Sequence, residues 1–193
     1  MKGYTDKQIL DKVKTLSSFK LIPTGYWIVA IRSNEDKTDA YDDKFYLFKG
    51  QKFIMVTTGT TNPGKWSLNN FAEYNSYGCA VVKANEWYYD LWANGLHKGK
   101  MKALVQAKDI LYYRDNDKNG KSSEIGTVQK GMIGINFHTC TYDKPTLTQK
   151  IIGLVVGKWS AGCSVINNVT DYYKIIDLVS KQPRITYCLL KEF

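Results

Sequence analysis

The chain has 193 residues, 44% of them hydrophobic and 13% aromatic. That is enough apolar material for one domain, at about 100–200 residues per domain, and too much for a wholly disordered chain. Its formal charge is +9, no apolar run approaches the ~18 residues of a membrane span, and the polar start Met1-Lys2-Gly3-Tyr4 leads into no signal-peptide core.

Residues 5–17 read as an amphipathic helix: Thr5 or Asp6 can cap it, and Ile9, Leu10, Val13 and Leu16 recur at helical spacing. Pro23 and Gly25 break the chain before the apolar run Tyr26 to Ile31, a strand; the charged stretch from Ser33 to Asp43 is a loop, and the pair Asp42-Asp43 reads as solvated loop charge. Phe45 to Phe48 and Phe53 to Thr58, joined across Gly50, form a predicted hairpin, followed by a loop from Gly59 to Gly64 whose Asn62-Pro63-Gly64 is a turn signal. One or two strands are expected within 79–92, where Trp87-Tyr88-Tyr89 and Trp92 read as sheet packing, with a glycan groove as the alternative. His97, within Gly95-Leu96-His97-Lys98-Gly99, reads as a residue of an exposed loop. Further strands are expected over 101–106, 110–113, 132–139 and 151–156, with a polar loop from Asp115 to Ser123. A helix over about 169–180, capped by Asn168 or Thr170, buries Tyr172, Ile175, Ile176 and Val179; Pro183 ends it, and a last strand follows from Arg184 to Leu190.

The lysines are scattered, and Arg stands only at positions 32, 114 and 184. This is not the concentrated, arginine-bearing stripe by which proteins grip nucleic acid. A solvated lysine-rich surface, or attraction to an anionic polymer such as the bacterial wall, fits better. Cys79, Cys140, Cys163 and Cys188 have the spacing of neither a disulfide framework nor paired zinc knuckles.

One constellation carries chemistry. On the strand Ile133 to Thr139, period 2 puts Ile133, Ile135 and Phe137 on the core face, and Gly134, Asn136 and His138 on the other. Downstream, Gly157-Lys158-Trp159-Ser160-Ala161-Gly162-Cys163-Ser164 places a cysteine in a tight, small-residue turn. Gly162 lets a substrate carbonyl approach, backbone N–H groups of the turn can face a developing oxyanion, and an imidazole beside the thiol promotes the thiolate. Cys140 is the rival nucleophile, but two residues along one strand hold its side chain nearly parallel to that of His138. A zinc site from His138, Cys140 and Cys163 would lack a fourth ligand, so no metal or cofactor is expected.

These pieces resemble the L,D-transpeptidase (YkuD-type) catalytic domain. The matching segments are the strand ending in His138, the turn Ser160-Ala161-Gly162-Cys163, the helix and last strand behind it, and the upstream hairpin with Thr57-Thr58-Gly59-Thr60-Thr61-Asn62-Pro63-Gly64, together covering about residues 26–190. The resemblance implies a mainly β, sandwich-like fold over 26–193, preceded by a helix and linker over 1–25. It implies a monomeric enzyme acting on peptidoglycan stem peptides, with Cys163 as nucleophile, His138 as base, and Ser160 and Gly162 shaping the turn and oxyanion site. Asn136, Thr139, Trp159, Ala161 and Ser164 are then the expected substrate contacts. Ala161 stands where that family usually has His, Ser164-Val165 replaces an apolar residue followed by Arg, and 24 residues separate His138 from Cys163, a longer interval than usual. The form Trp159-Ser160-Ala161-Gly162-Cys163 resembles a phage-lysin-like branch; the polar start without a signal core, the basic charge and the single compact domain favour a hydrolase that accumulates in the cytoplasm for release to the wall, with cross-linking transpeptidation and a non-catalytic wall-binding or virion role as the alternatives.

Overall fold

A computed structural model describes residues 2–35, 37–144, 146 and 151–193. The fold is mainly β, with strands β1 (Tyr26–Arg32), β2 (Asp43–Lys49), β3 (Lys52–Thr60), β4 (Cys79–Val82), β5 (Glu86–His97), β6 (Met101–Gln106), β7 (Ile110–Asp115), β8 (Gln129–Gly131), β9 (Phe137–Thr139), β10 (Ser164–Ile166) and β11 (Ile185–Lys191). The helices are α1 (Asp6–Lys14), the short α2 (Lys65–Asn69) and α3 (Val169–Val179). The two sheets are a closed barrel in the order β1-β11-β5-β6-β9-β10-β3-β2 and a three-stranded sheet β4-β7-β8, where a sandwich of two layers was expected.

The continuous apolar run of β1 reflects burial on both faces. Trp27, Val29 and Ile31 pack outward with Cys188 and Leu190 of β11 and with Ile9, Leu10 and Val13 of α1. Ile28 and Ala30 face inward, among Leu189, Trp92, Phe137 and the α3 stripe Tyr172, Ile175, Ile176 and Val179. The N-terminal helix thus shares a core with the barrel; burying three aliphatic side chains stabilises its docking by roughly 1.5–3 kcal/mol each. Thr5 caps α1 in a capping box with Gln8, and Asn168 caps α3 by accepting from Asp171 N. The hairpin β2–β3 turns through Gly50 at φ 57°, as its sequence predicts. Trp87 stacks between Trp27 and Tyr89, and Trp92 is fully buried, so these aromatics serve packing.

Four expectations need correction. The strand expected over 132–139 is regular only at β9: Gly134 has φ 80°, and the segment before β9 bonds to the Gln106 side chain, whose Oε1 accepts from Ile133 N (3.0 Å) and Ile135 N (2.9 Å). Residues 151–156 contribute a single bridge, Ile152 to Asn168, and expose Leu154 (86%), so this apolar run is no strand. Asp43, the first residue of β2, is fully buried, accepting from Ser33 N, Thr61 N and Thr61 Oγ1, because its carboxylate satisfies backbone donors that the barrel would otherwise bury. His97 lies at the end of β5 and is buried; β5 runs five residues past Trp92 and returns as β6 through a turn with Lys98 (φ 50°) and Gly99 (φ 70°). Among the described residues no helix is long and apolar enough to cross a membrane.

Candidate active site

Register brings the two chemistry-bearing segments together. β9 and β10 run parallel with Ser164 beside Phe137 and Val165 beside His138, so Cys163, just before β10, stands level with Asn136, just before β9. Ser164 N donates to Asn136 O (2.9 Å), and Asn136 N donates to Cys163 Sγ (3.4 Å). His138 projects from the same side of β9 as Asn136 and reaches Cys163 on the diagonal. From the other flank, β6 pairs with β9 at Leu104–Phe137, and its hairpin partner β5 delivers His97. A ring nitrogen of His97, a ring nitrogen of His138 and Cys163 Sγ all lie within 4.8 Å of one another.

The turn that carries the cysteine is held from three directions. Gly157 N donates to Asp39 Oδ1 (2.7 Å), Gly64 N donates to Ser160 O (2.9 Å), and Ala80 N of β4 donates to Ala161 O (3.2 Å). Within the turn Ser160 Oγ donates to Cys163 O (2.8 Å) and accepts from Gly162 N (3.2 Å). Gly162 has φ 132°, and a Cβ there would lie 2.5 Å from Ala80 O, so only glycine lets β4 close on the turn. The Asn62-Pro63-Gly64 signal therefore marks the support of this turn.

His138 is fully buried. Its Nδ1 lies 2.8 Å from Thr139 O; a carbonyl only accepts, so Nδ1 carries the proton and Nε2 presents a lone pair. Nε2 is buried without a hydrogen-bond partner among the described residues. Burial first, then the neighbouring His97, push its pKa down to about 3. Cys163 is half-buried, with its thiol donating to Gly134 O (3.6 Å). Burial pushes that thiol up to about 11, against the opposing pull of the Asn136 N–H. Burial thus pushes both the thiol and the imidazole towards their neutral forms.

A cleft of about 350 Å³ opens on Cys163, between the barrel and β4–β7. Trp159, Ala161 and Gly134 line it, with the cations Lys98, Arg114 and Lys158 and, among the described residues, no acidic side chain. Arg114 is aimed by Nη1 donating to Gly78 O (3.0 Å), and Lys158 Nζ rests 3.8 Å from the Trp66 ring centre. Of the expected substrate contacts, Trp159 and Ala161 face this cleft. Thr139 and Ser164 are buried, their hydroxyls directed to Ile166 O (2.9 Å) and to Tyr187 Oη (3.5 Å), and Asn136 braces His97 and the thiol. Cys140 turns away, its thiol donating to Asn167 O (3.4 Å).

His97, Gln106, Lys98 and Arg114 escape the sequence reading. The signal for His97 is the Lys98-Gly99 turn between two strand-like runs, which makes a hairpin end of what looks like a loop. Two imidazoles and a thiolate are donors that zinc accepts. Here the rings are stacked, 4.0 Å between centres and 22° between planes, so their in-plane lone pairs do not converge on one ion without rotation. The chain matches no family model, no curated protein and no solved structure.

Proposed function

We propose that the protein is a cysteine-dependent acyl-transfer enzyme acting on an L,D peptide bond in the stem peptides of bacterial peptidoglycan. The observation that carries this reading is the orphaned, buried Nε2 of His138, on a ring that has a nitrogen within 4.8 Å of the thiol lining the cleft. A buried imidazole nitrogen without a partner is costly unless it has a proton to receive. Cys163 supplies that proton as its sulfur attacks the carbonyl; His138 then returns it to the departing amine, and a thioester links substrate to sulfur. Thr139 O holds the imidazole in the required tautomer and stabilises its protonated form. Three cations along the cleft, with no acid among the described residues, suit a peptide bearing free carboxylates, as wall stems do. Separation of the sulfur and nitrogen beyond hydrogen-bond reach is common before substrate closes such a pair.

Purified sacculi incubated with the protein, followed by muropeptide analysis, test the reading. Shortened stems or lost cross-links report water as acceptor, and new L,D cross-links report an amine; either outcome supports acyl transfer if Cys163→Ala abolishes it while keeping the fold. Unchanged muropeptides, or turnover that survives Cys163→Ala, would overturn the proposal and leave a wall-binding or virion structural role.

A further inference from the structure

Accepting that reading, the attack on a carbonyl needs donors for the oxygen on which negative charge develops. The turn provides fewer than its sequence promises, because the Gly162 N–H is already spent on Ser160 Oγ. A different donor faces the cleft. Asn136 Oδ1 accepts from Gln106 N (3.0 Å), which fixes the orientation of its amide, so Asn136 Nδ2 donates to His97 Nδ1 (3.1 Å). Since Nδ1 accepts, the imidazole proton is on Nε2. Among the described residues Nε2 has no hydrogen-bond partner, and it is not a buried orphan like His138 Nε2; it opens on the cleft that His97 lines together with Cys163.

We infer that His97 is a catalytic residue, whose Nε2–H hydrogen-bonds the carbonyl oxygen of the scissile amide and the oxyanion that replaces it when Cys163 attacks. Geometry permits this: a carbonyl carbon bonded to sulfur puts its oxygen roughly 2.7 Å from that sulfur, a donor sits about 2.8–3 Å further on, and the His97 ring has a nitrogen within 4.8 Å of the sulfur. The step balances without His97 giving up its proton. The S–C bond forms, the carbonyl π pair moves to oxygen, the thiol proton goes to His138 Nε2, and collapse expels the amine with that proton. His97 only donates a hydrogen bond throughout. Burial and the nearby Lys98 lower its pKa, keeping the ring neutral beside a His138 that becomes cationic during the attack. A second imidazolium stacked 4.0 Å away would oppose that transfer. A neutral imidazole acting as electrophile is an established use of this side chain.

The test compares wild type, Cys163→Ala and His97→Phe on purified sacculi, with iodoacetamide alkylation of Cys163 measured in parallel. Phe keeps a ring against His138 but has no N–H. Turnover of His97→Phe should fall by about 10²–10³-fold, the usual cost of one oxyanion donor. Its alkylation, which forms no oxyanion, should stay within about twofold of wild type. His97→Gln, which restores an N–H, should recover part of the loss. Should Phe not fit, judged by a lost thermal transition, His97→Ala repeats the comparison under the same criteria. Turnover within about threefold of wild type, or alkylation falling in step with turnover, would overturn the assignment. If Cys163→Ala itself remained active, the acyl-transfer reading would fail first.

Discussion

Burial pushes Cys163 and His138 both towards their neutral forms, and this fixes how the thiol reacts. A thiol pushed up to about 11 by burial is almost wholly protonated at neutral pH, so a reagent that needs thiolate sees little of it. Iodoacetamide alkylation of Cys163 should therefore rise about tenfold per pH unit through the alkaline range, without a plateau near pH 7. A plateau at neutral pH would reveal a resting thiolate–imidazolium pair and contradict the burial argument. Cys79 and Cys188 are more deeply buried and also pushed up, so Cys163 should label first, a ranking that mass spectrometry of partially labelled protein reads directly. His138 contributes only during attack. His138→Gln should lower turnover on sacculi by about 10²–10⁴-fold while leaving alkylation near pH 11 unchanged. Equal loss of both would mean that the imidazole holds the thiol in place instead of taking its proton.

At the scale of elements, the site depends on the turn before β10 keeping its close contact with β4. Gly162→Ala would add a Cβ 2.5 Å from the Ala80 carbonyl at φ 132°. Both faults act on one residue, so a loss of about 1–3 kcal/mol in unfolding free energy is expected. Turnover should fall further than stability alone explains, because the next residue is Cys163. Denaturant unfolding and the alkylation rate measure the two effects separately; an unperturbed variant would show that β4 can yield. Where an element owes its state to its own pattern, the sequence suffices: α1, the β2–β3 hairpin, α3 and β11 follow from capping residues, a glycine turn and apolar spacing. Elements that owe their state to a distant side chain were not legible. The alternation over 132–139 promises a strand, yet Gln106, far along the chain, takes the Ile133 and Ile135 N–H groups and Gly134 bends the path. His97 was lost for a similar reason. A left-handed turn at Lys98 extends β5 to the site, and no local pattern shows that its ring meets His138. The tight turn at Cys163 could be read from Ser160, Ala161 and Gly162 before it; the burial of His138, and the bracing of Cys163 and His97 by Asn136, could not, since they are matters of register between two three-residue strands.

For the whole molecule, the cost of keeping ionisable groups in this core sets how stability varies with pH. His138 in the folded chain has its pKa lowered to about 3, against 6.5 ordinarily. Below pH 6.5 the unfolded chain therefore takes up a proton that the native chain refuses, and stability is lost as pH falls from 6.5 towards 3. His97 acts in the same direction. Asp43 acts in the opposite one: burial lifts it to about 6, so the native chain binds its proton first, and its contribution is present at low pH and lost as pH rises through 6. The measured curve of the wild type thus mixes opposing contributions between pH 4 and 6.5, and its shape alone identifies neither. A difference curve separates them. Asp43 is common to wild type and His138→Gln, so subtracting their unfolding free energies leaves the His138 contribution. That difference should be flat above pH 7 and change by roughly 2 kcal/mol between pH 6.5 and 5, with the variant gaining relative to wild type as the solution is acidified. Urea unfolding at pH 5, 6, 7 and 8 is sufficient to measure it. Parallel curves for the two proteins would mean that His138 takes up protons in the native state as readily as in the unfolded one, and the sealed, unpartnered Nε2 on which the acyl-transfer chemistry rests would then have access to water.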